Sequence, residues 1–210
     1  MSVAELRRRQ VVTVTFVVLG GTILALSLRL SPGSRWFYPA TFGLALVWTV
    51  GAFASGPLHL GRIVHRSESR RPVVTPIAIG LILAGVFVVG ALVVRHIPFA
   101  YDQVRSVLDH AGDGVGAILV LITVVNGVAE ELFFRGAAYA AAARYPVPVT
   151  TVAYAIATLA TGNVMLSFAA LLLGTVCGLQ RRASGGILGP ILTHVTWSTS
   201  MLFLLPLVFG

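Results

Sequence analysis

The stretch VVNGVAEELFFRGAAYAAA, residues 124–142, places Glu130, Glu131 and Arg135 inside a segment that is otherwise apolar. A segment of this length and hydropathy can cross the hydrocarbon core of a bilayer as a helix. Charged side chains at that depth are costly, so they usually face the protein interior and mark function. The chain has seven acidic residues, and two of them lie here. The stretch therefore predicts a membrane-spanning helix with a functional site inside it.

The composition of the whole chain indicates an integral membrane protein. Hydrophobic residues make up 57% and charged residues 10% of the chain, and the mean hydropathy is +0.91. The apolar segments are Val11–Leu28, Trp36–Ser55, Val73–Val94, Val115–Ala143, Val147–Ala160, Val164–Leu179 and Gly186–Phe209. We predict an all-α, polytopic transmembrane bundle of about seven spans in the cell (plasma) membrane, in which Val147–Ala160 is short for a span.

The basic residues indicate how the bundle is oriented. All fifteen are arginine, and most lie before the first span or after the second, fourth and sixth spans. Because loops rich in arginine stay in the cytoplasm, we predict a cytoplasmic N-terminus and an external C-terminus. The net charge of +8 is then a topology signal, which does not indicate nucleic-acid binding. The lipid bilayer is the expected partner, and the basic loop at residues 62–71 favours anionic lipid.

The charged helix offers two pairs of residues on neighbouring turns. Asn126 and Glu130 are spaced i,i+4, and so are Glu131 and Arg135. The second pair can form an ion pair that brings Arg135 into a low-dielectric interior. Glu130 is rotated by about 100° from Glu131 around the helix. We interpret Glu131 and Arg135 as a supporting pair and Glu130 as the free carboxylate, which suits general-base work on water.

A histidine in the last apolar segment is the second candidate. His194 lies in GGILGPILTHVTWSTSMLF, residues 185–203, and Ser198 follows it at i,i+4. One interpretation is a core histidine bonded to a backbone carbonyl. The other is that His194 meets Glu130, because both lie at a comparable depth from the predicted cytoplasmic side. The single cysteine, Cys177, excludes an intramolecular disulfide and a cysteine-based metal site.

Glu-Glu-x-x-x-Arg followed by His-x-x-x-polar in a later helix resembles the CPBP family. This family comprises the CAAX prenyl protease and bacteriocin-processing intramembrane proteases, also called the Abi family. The resemblance covers roughly residues 115–208 and includes GTVCGLQRRASGGILGPILTH at residues 174–194. We predict two regions: residues 1–112 are a variable part with three spans and an external interfacial segment, and residues 113–210 are a catalytic-type core with four spans.

The resemblance implies a helical intramembrane endopeptidase that is open to the cytoplasm and acts on a membrane-associated peptide or protein. Glu130 corresponds to the glutamate that activates water, and Glu131 and Arg135 to its supporting pair. His194 corresponds to the histidine that polarises the scissile carbonyl or holds its oxyanion. The resemblance leaves a divalent metal open, with Glu130 and His194 as its ligands.

The sequence departs from the family pattern at two motifs. The second motif, Phe-x-x-x-His, has no histidine: Ala157 and Thr161 occupy its positions, and Asn163 is the nearest polar group. Ser198 stands where the last motif normally has Asn or Asp. Thr161 or Asn163 could hydrogen-bond a water, but neither can accept its proton near neutral pH. Loss of a general acid or base commonly costs about 10²–10⁴ in rate.

Two alternatives to an active enzyme remain open from the sequence. A catalytically degenerate member could bind a peptide or another partner in the same cavity. A small membrane transporter could use the buried carboxylate as a protonation site.

Overall fold

A computed structural model describes residues 2–65, 68–111 and 116–210. The described chain is a helical bundle with one small hairpin. Its elements are α1 (Val3–Ser27), α2 (Phe37–Ser55), β1 (Ile63–His65), β2 (Glu68–Arg70), α3 (Val74–Val94), α4 (Pro98–Leu108), a 3₁₀ turn (Asp109–Ala111), α5 (Ala117–Glu131), a π-helix (Leu132–Ala138), α6 (Tyr139–Ala141), α7 (Pro146–Leu159), α8 (Val164–Ser184) and α9 (Leu188–Phe209).

The predicted polytopic helical bundle is confirmed. In the described part of the chain, six helices are long and apolar enough to cross a membrane. One of them is the continuous helix Ala117–Ala141, formed by α5, the π-helix and α6. The fifth predicted segment, Val147–Ala160, corresponds to α7, which at 14 residues is shorter than a full crossing needs. The predicted boundary between residues 112 and 113 and the predicted span start at Val115 lie outside the described residues.

The first helix begins eight residues earlier than the apolar pattern, at Val3 instead of Val11. The reason is a capping box: the Ser2 hydroxyl accepts from the Glu5 N–H at 3.2 Å, and the Glu5 carboxylate accepts from the Ser2 N–H at 2.7 Å. These two bonds satisfy amide groups that a helix start leaves unpaired. The N-terminal arginines therefore lie within the first turns of α1.

Helix α8 also extends beyond the apolar pattern, to Ser184 instead of Leu179. It ends at Gly185, whose backbone is left-handed with φ 69°. Glycine adopts this conformation at little steric cost, so it commonly terminates helices. The final turns of α8 consequently carry Arg181 and Arg182 at one end of the bundle.

The α2–α3 and α8–α9 connections meet at that same end. The Arg62 N–H donates to the Ser184 carbonyl at 2.8 Å, and the Ile187 N–H donates to the His59 carbonyl at 2.9 Å. The α2–α3 connection also contains the antiparallel hairpin of β1 and β2, which the apolar pattern of the sequence did not predict. The two arginine-rich connections therefore share one end of the molecule.

The opposite end contains α4, the α7–α8 turn and the end of α9. The Asn163 Nδ2 group donates to the Gln103 carbonyl at 2.6 Å, and Arg105 Nη1 donates to the Phe209 carbonyl at 3.0 Å. The short helix α7 therefore reaches the same end as the C-terminus of α9.

A buried apolar cluster lies between α1, α2 and the π-helix. The Trp48 ring centroid is 4.7 Å from that of Phe133 and 5.1 Å from that of Phe134. Gly20 of α1 lies against Trp48, where a methyl group would collide with the indole. Close helix approach at small residues is typical of membrane bundles. This packing holds one face of the helix Ala117–Ala141, which carries Glu130 and Glu131, against the N-terminal helices.

Candidate active site

Five side chains form a polar cluster inside the bundle: Glu130, Glu131, Arg135, Tyr154 and His194. Glu130 and Glu131 end α5, Arg135 lies in the π-helix, Tyr154 lies in α7 and His194 lies in α9. Glu131 and Arg135 are fully buried. The cluster therefore combines residues of the continuous helix Ala117–Ala141 with residues of α7 and α9, which are distant in sequence.

The π-helix over Leu132–Ala138 follows the two glutamates directly. The sequence spacing predicted ordinary α-helix here, and residue pattern does not distinguish the two hydrogen-bonding schemes. A tertiary contact supports the wider turn, because Arg181 Nε donates to the Arg135 carbonyl at 2.8 Å. π-Helical turns are rare and frequently occur at functional sites.

Glu131 is bound by two cationic or potentially cationic groups through one oxygen. Arg135 Nη1 donates to Glu131 Oε1 at 3.1 Å, and His194 Nδ1 donates to the same oxygen at 2.8 Å. The side chains of Glu131 and Arg135 are 0% exposed, and that of His194 is 6% exposed. Glu131 is therefore a structural centre that fixes both the guanidinium and the imidazole.

Glu130 has a different environment from its neighbour. Its Oε2 accepts a hydrogen bond from the Tyr154 hydroxyl at 2.5 Å and lies 3.9 Å from His194 Nε2. Its side chain is 15% exposed. The His194 ring consequently bridges the two glutamates, with Nδ1 on Glu131 and Nε2 facing Glu130.

Several polar atoms of the cluster lack a hydrogen-bond partner in the described part of the chain. They are Glu131 Oε2, Arg135 Nε and Arg135 Nη2. The Arg135 guanidinium lies 5.1 Å from the centroid of the Tyr154 ring, which partly compensates its burial through a cation–π contact. Buried polar groups are usually hydrogen-bonded, and those that have no protein partner call for a specific explanation, such as a catalytic role or a bound water.

Two other predicted residues make bonds within their own helices. The Ser198 hydroxyl donates to the Val195 carbonyl at 3.4 Å, and Asn126 Nδ2 donates to the Ile122 carbonyl at 3.0 Å. Neither bond involves a member of the polar cluster, although both residues lie one turn from a member.

The substitutes suggested for the second-motif histidine have partners near the end of α7. The Thr161 hydroxyl donates to the Thr158 carbonyl at 2.7 Å. Asn163 caps α8, because its Oδ1 accepts from the Leu166 N–H at 2.9 Å. Thr161 follows Tyr154 by seven residues and lies beyond Leu159, the last residue of α7.

Sequence reasoning missed Tyr154, which is the α7 side chain that contacts Glu130. One signal was present: Tyr154 is an aromatic residue with a polar hydroxyl inside the apolar segment Val147–Ala160, seven residues before Thr161. The register of α7 against α5 follows from helix packing, which this spacing alone does not determine.

The donor set does not fit a tight divalent metal site. Among the described residues, no group of three or more His, Cys, Asp or Glu side chains could hold a metal ion. Catalytic zinc sites normally use three protein ligands, whereas Glu130 and His194 provide two. The groups available for chemistry in the cluster are therefore its two carboxylates, the imidazole, the guanidinium and the phenol.

An apolar cavity of about 470 Å³ lies between α3, α4, α8 and α9. Its wall includes Val104, Val107 and Leu108 of α4 and Trp197 of α9. The Trp197 ring centroid is 6.2 Å from that of His194. The indole of Trp197 therefore lies between this cavity and the polar cluster.

Comparison with known proteins identifies the region that contains the cluster. Residues 114–200 match the family model described as type II CAAX prenyl endopeptidase Rce1-like. Neither a curated protein nor a solved structure matches the chain. The matched region contains all five members of the polar cluster. With six candidate membrane spans, this match supports a multi-pass membrane protein. The chain therefore carries an Rce1-like domain at residues 114–200, which confirms the resemblance to the CPBP family of CAAX-type membrane proteases.

Proposed function

We propose that the protein is a CAAX-type membrane endopeptidase that hydrolyses a peptide bond with a water activated by Glu130. The observation that carries this proposal is the opposition of Glu130 Oε2 and His194 Nε2 at 3.9 Å. That separation is too long for a direct hydrogen bond, and one water could contact both atoms at about 2.8 Å.

The reaction we propose needs the His194 imidazole in its protonated form. In that form two carboxylates face one guanidinium and one imidazolium, and the four groups sum to zero charge. Charges buried without such pairing are strongly unfavourable. Glu131 accepts from His194 Nδ1–H at 2.8 Å, which directs Nε2–H toward Glu130 and the proposed water position.

The reaction follows from these positions. Glu130 takes a proton from the water as the water oxygen forms a bond to the scissile carbonyl carbon. His194 Nε2–H donates to the oxyanion that develops on the carbonyl oxygen. Glu130 then gives the proton to the departing amine as the C–N bond breaks. Glu131 and Arg135 hold the imidazole and stabilise its charge throughout.

The substrate we propose is a membrane-associated peptide or protein, cleaved at the cytoplasmic side of the plasma membrane. The arrangement of arginines supports that orientation, since the connections carrying Arg62, Arg71, Arg181 and Arg182 lie at one end of the bundle. Arginine-rich connections generally remain cytoplasmic.

Cleavage of defined peptides tests this function. The purified protein in proteoliposomes should cleave membrane-tethered or prenylated peptides, and mass spectrometry should identify two products that together contain one added water. Glu130→Ala and His194→Ala should abolish cleavage, while the matched controls Glu5→Ala and His96→Ala should retain it. A wild type that cleaves no peptide, or variants that cleave at the wild-type rate, would refute the proposed reaction.

A binding protein without catalysis is the second candidate, because no histidine lies between Glu131 and His194. In that case the wild type would bind the tethered peptides in a fluorescence titration and release no product over many hours. The two candidates therefore differ in a single experiment.

A further inference from the structure

Tyr154 is the member of the polar cluster to which no role has been assigned. Its hydroxyl donates to Glu130 Oε2 at 2.5 Å. The same oxygen faces His194 Nε2 at 3.9 Å. The phenol therefore binds the proposed catalytic base at the atom that would contact the water.

The surrounding packing fixes the direction of the Tyr154 ring. Its centroid lies 4.8 Å from that of Phe134 and 6.5 Å from that of His194, and the Arg135 guanidinium lies 5.1 Å away on its face. The residue is 9% exposed. These contacts involve the ring alone, so they would persist if the hydroxyl were removed.

Tyr154 also comes from the helix that carries the second motif in the family. The resemblance implies a histidine in that motif, and the chain has none at the corresponding positions. Thr161 and Asn163 make their hydrogen bonds near the end of α7 and at the start of α8. Tyr154 is the residue of α7 whose side chain contacts Glu130.

We propose that Tyr154 takes the place of the missing second-motif histidine as a third catalytic contact to the water. This inference rests on the proposed peptidase function. The phenol O–H donates to Glu130 Oε2, and its oxygen has lone pairs that can accept a hydrogen bond from the water. The three atoms around the water are then Glu130 Oε2, His194 Nε2 and Tyr154 Oη.

The proton balance leaves Tyr154 unchanged by the reaction. The water loses one proton to Glu130 as its oxygen bonds to the carbonyl carbon, and Glu130 returns that proton to the departing amine. Tyr154 keeps its own proton and orients the water and the carboxylate. Its contribution therefore belongs to the chemical step, and it contributes little to substrate affinity.

Four proteins test this inference: the wild type, Tyr154→Phe, Tyr154→His and the matched control Tyr139→Phe. The Tyr139 ring lies 4.9 Å from the Arg181 guanidinium, outside the polar cluster. We expect Tyr154→Phe to lower kcat by about 10- to 100-fold, as expected for a hydrogen bond to a charged group. Its KM and its melting temperature should stay near the wild-type values, because the ring contacts remain.

The histidine variant separates a chemical role from a packing role. Tyr154→His restores an imidazole on the same helix, so we expect its kcat to exceed that of Tyr154→Phe by about tenfold or more. Tyr139→Phe should retain the wild-type kcat.

Each outcome decides a different point. A wild type that cleaves peptides while Tyr154→Phe keeps the wild-type kcat overturns the role of Tyr154 and leaves the proposed function intact. A Tyr154→Phe protein that loses its fold assigns the hydroxyl to architecture and also overturns the inference. A wild type without any peptidase activity overturns both the proposed function and the role of Tyr154.

Discussion

The N-terminal helices and the region at residues 114–200 pack through different kinds of contact. In the N-terminal helices, small residues allow close approach: Gly20 lies against Trp48, and a methyl group at Gly51 would stand 2.6 Å from the Phe16 ring. In the region that matches the Rce1-like family, the helices meet through buried polar contacts: His194 of α9 donates to Glu131, and Tyr154 of α7 donates to Glu130. The first kind of contact gives stability, whereas the second places charge inside the membrane.

The N-terminal helices contact the matched region directly beside His194. Helix α3 packs on α9 through Gly80, where a methyl group would stand 2.8 Å from the Thr193 carbonyl, and the Thr193 hydroxyl donates to the Pro76 carbonyl at 2.8 Å. Thr193 directly precedes His194. We therefore expect the N-terminal helices to support the walls of the candidate site, whose polar groups all come from the matched region.

The largest effect is expected at Glu130. Glu130→Gln keeps an oxygen that can accept from Tyr154, so the fold and melting temperature should be retained. The proposed base is lost, and kcat should fall by about 10²- to 10⁴-fold. Initial rates at saturating peptide, with circular dichroism to confirm equal folding, check this expectation. A variant that retains more than a third of the wild-type rate would show that Glu130 is not the base.

The next largest effect is expected at the ion pair. Arg135→Met leaves the fully buried Glu131 with His194 as its remaining partner, and removing one member of a buried pair typically costs about 3–5 kcal/mol. We expect thermal melting in detergent to fall sharply and activity to fall with it. Arg144→Met, at an exposed position, is the matched control and should melt like the wild type. Equal melting of the two variants would contradict a stabilising ion pair.

A smaller effect is expected in the N-terminal half. Gly20→Ala forces a methyl group into the Trp48 ring, and overpacking of this kind typically costs about 1–3 kcal/mol. We expect a lower melting temperature and, below that temperature, a kcat near the wild-type value. Gly43→Ala, where a methyl group meets no described atom within 4 Å, should change neither quantity. A selective loss of kcat in Gly20→Ala would mean that these helices take part in catalysis.

The smallest effect is expected at Thr161. Thr161→His restores the histidine at the position expected from the sequence, but this position lies beyond the end of α7, seven residues after Tyr154. We therefore expect no gain in kcat over the wild type. A clear gain would place the second motif at Ala157 and Thr161 and would argue against the register based on Tyr154.

These cases indicate how far the sequence can predict the site. Glu131 and Arg135 follow from spacing within one helix, because local geometry fixes which residues share a face. The comparable depth of Glu130 and His194 in their predicted spans also favoured a meeting of the two residues. Residue spacing within one helix does not predict the rotation of α7 that turns Tyr154 toward Glu130. It also does not predict the π-helix around Arg135. Both depend on packing between helices and on contacts such as that of Arg181 with the Arg135 carbonyl.

The central claim is that Glu130 and His194 act on one water in one step. A double-mutant cycle on kcat, measured in single turnover with Glu130→Gln, His194→Ala and the combined variant, tests it most directly. Residues that act as a unit are strongly non-additive, so the combined variant should be no more than about threefold slower than the slower single variant. Losses that multiply in the combined variant would show that the two groups act independently and would contradict the shared site.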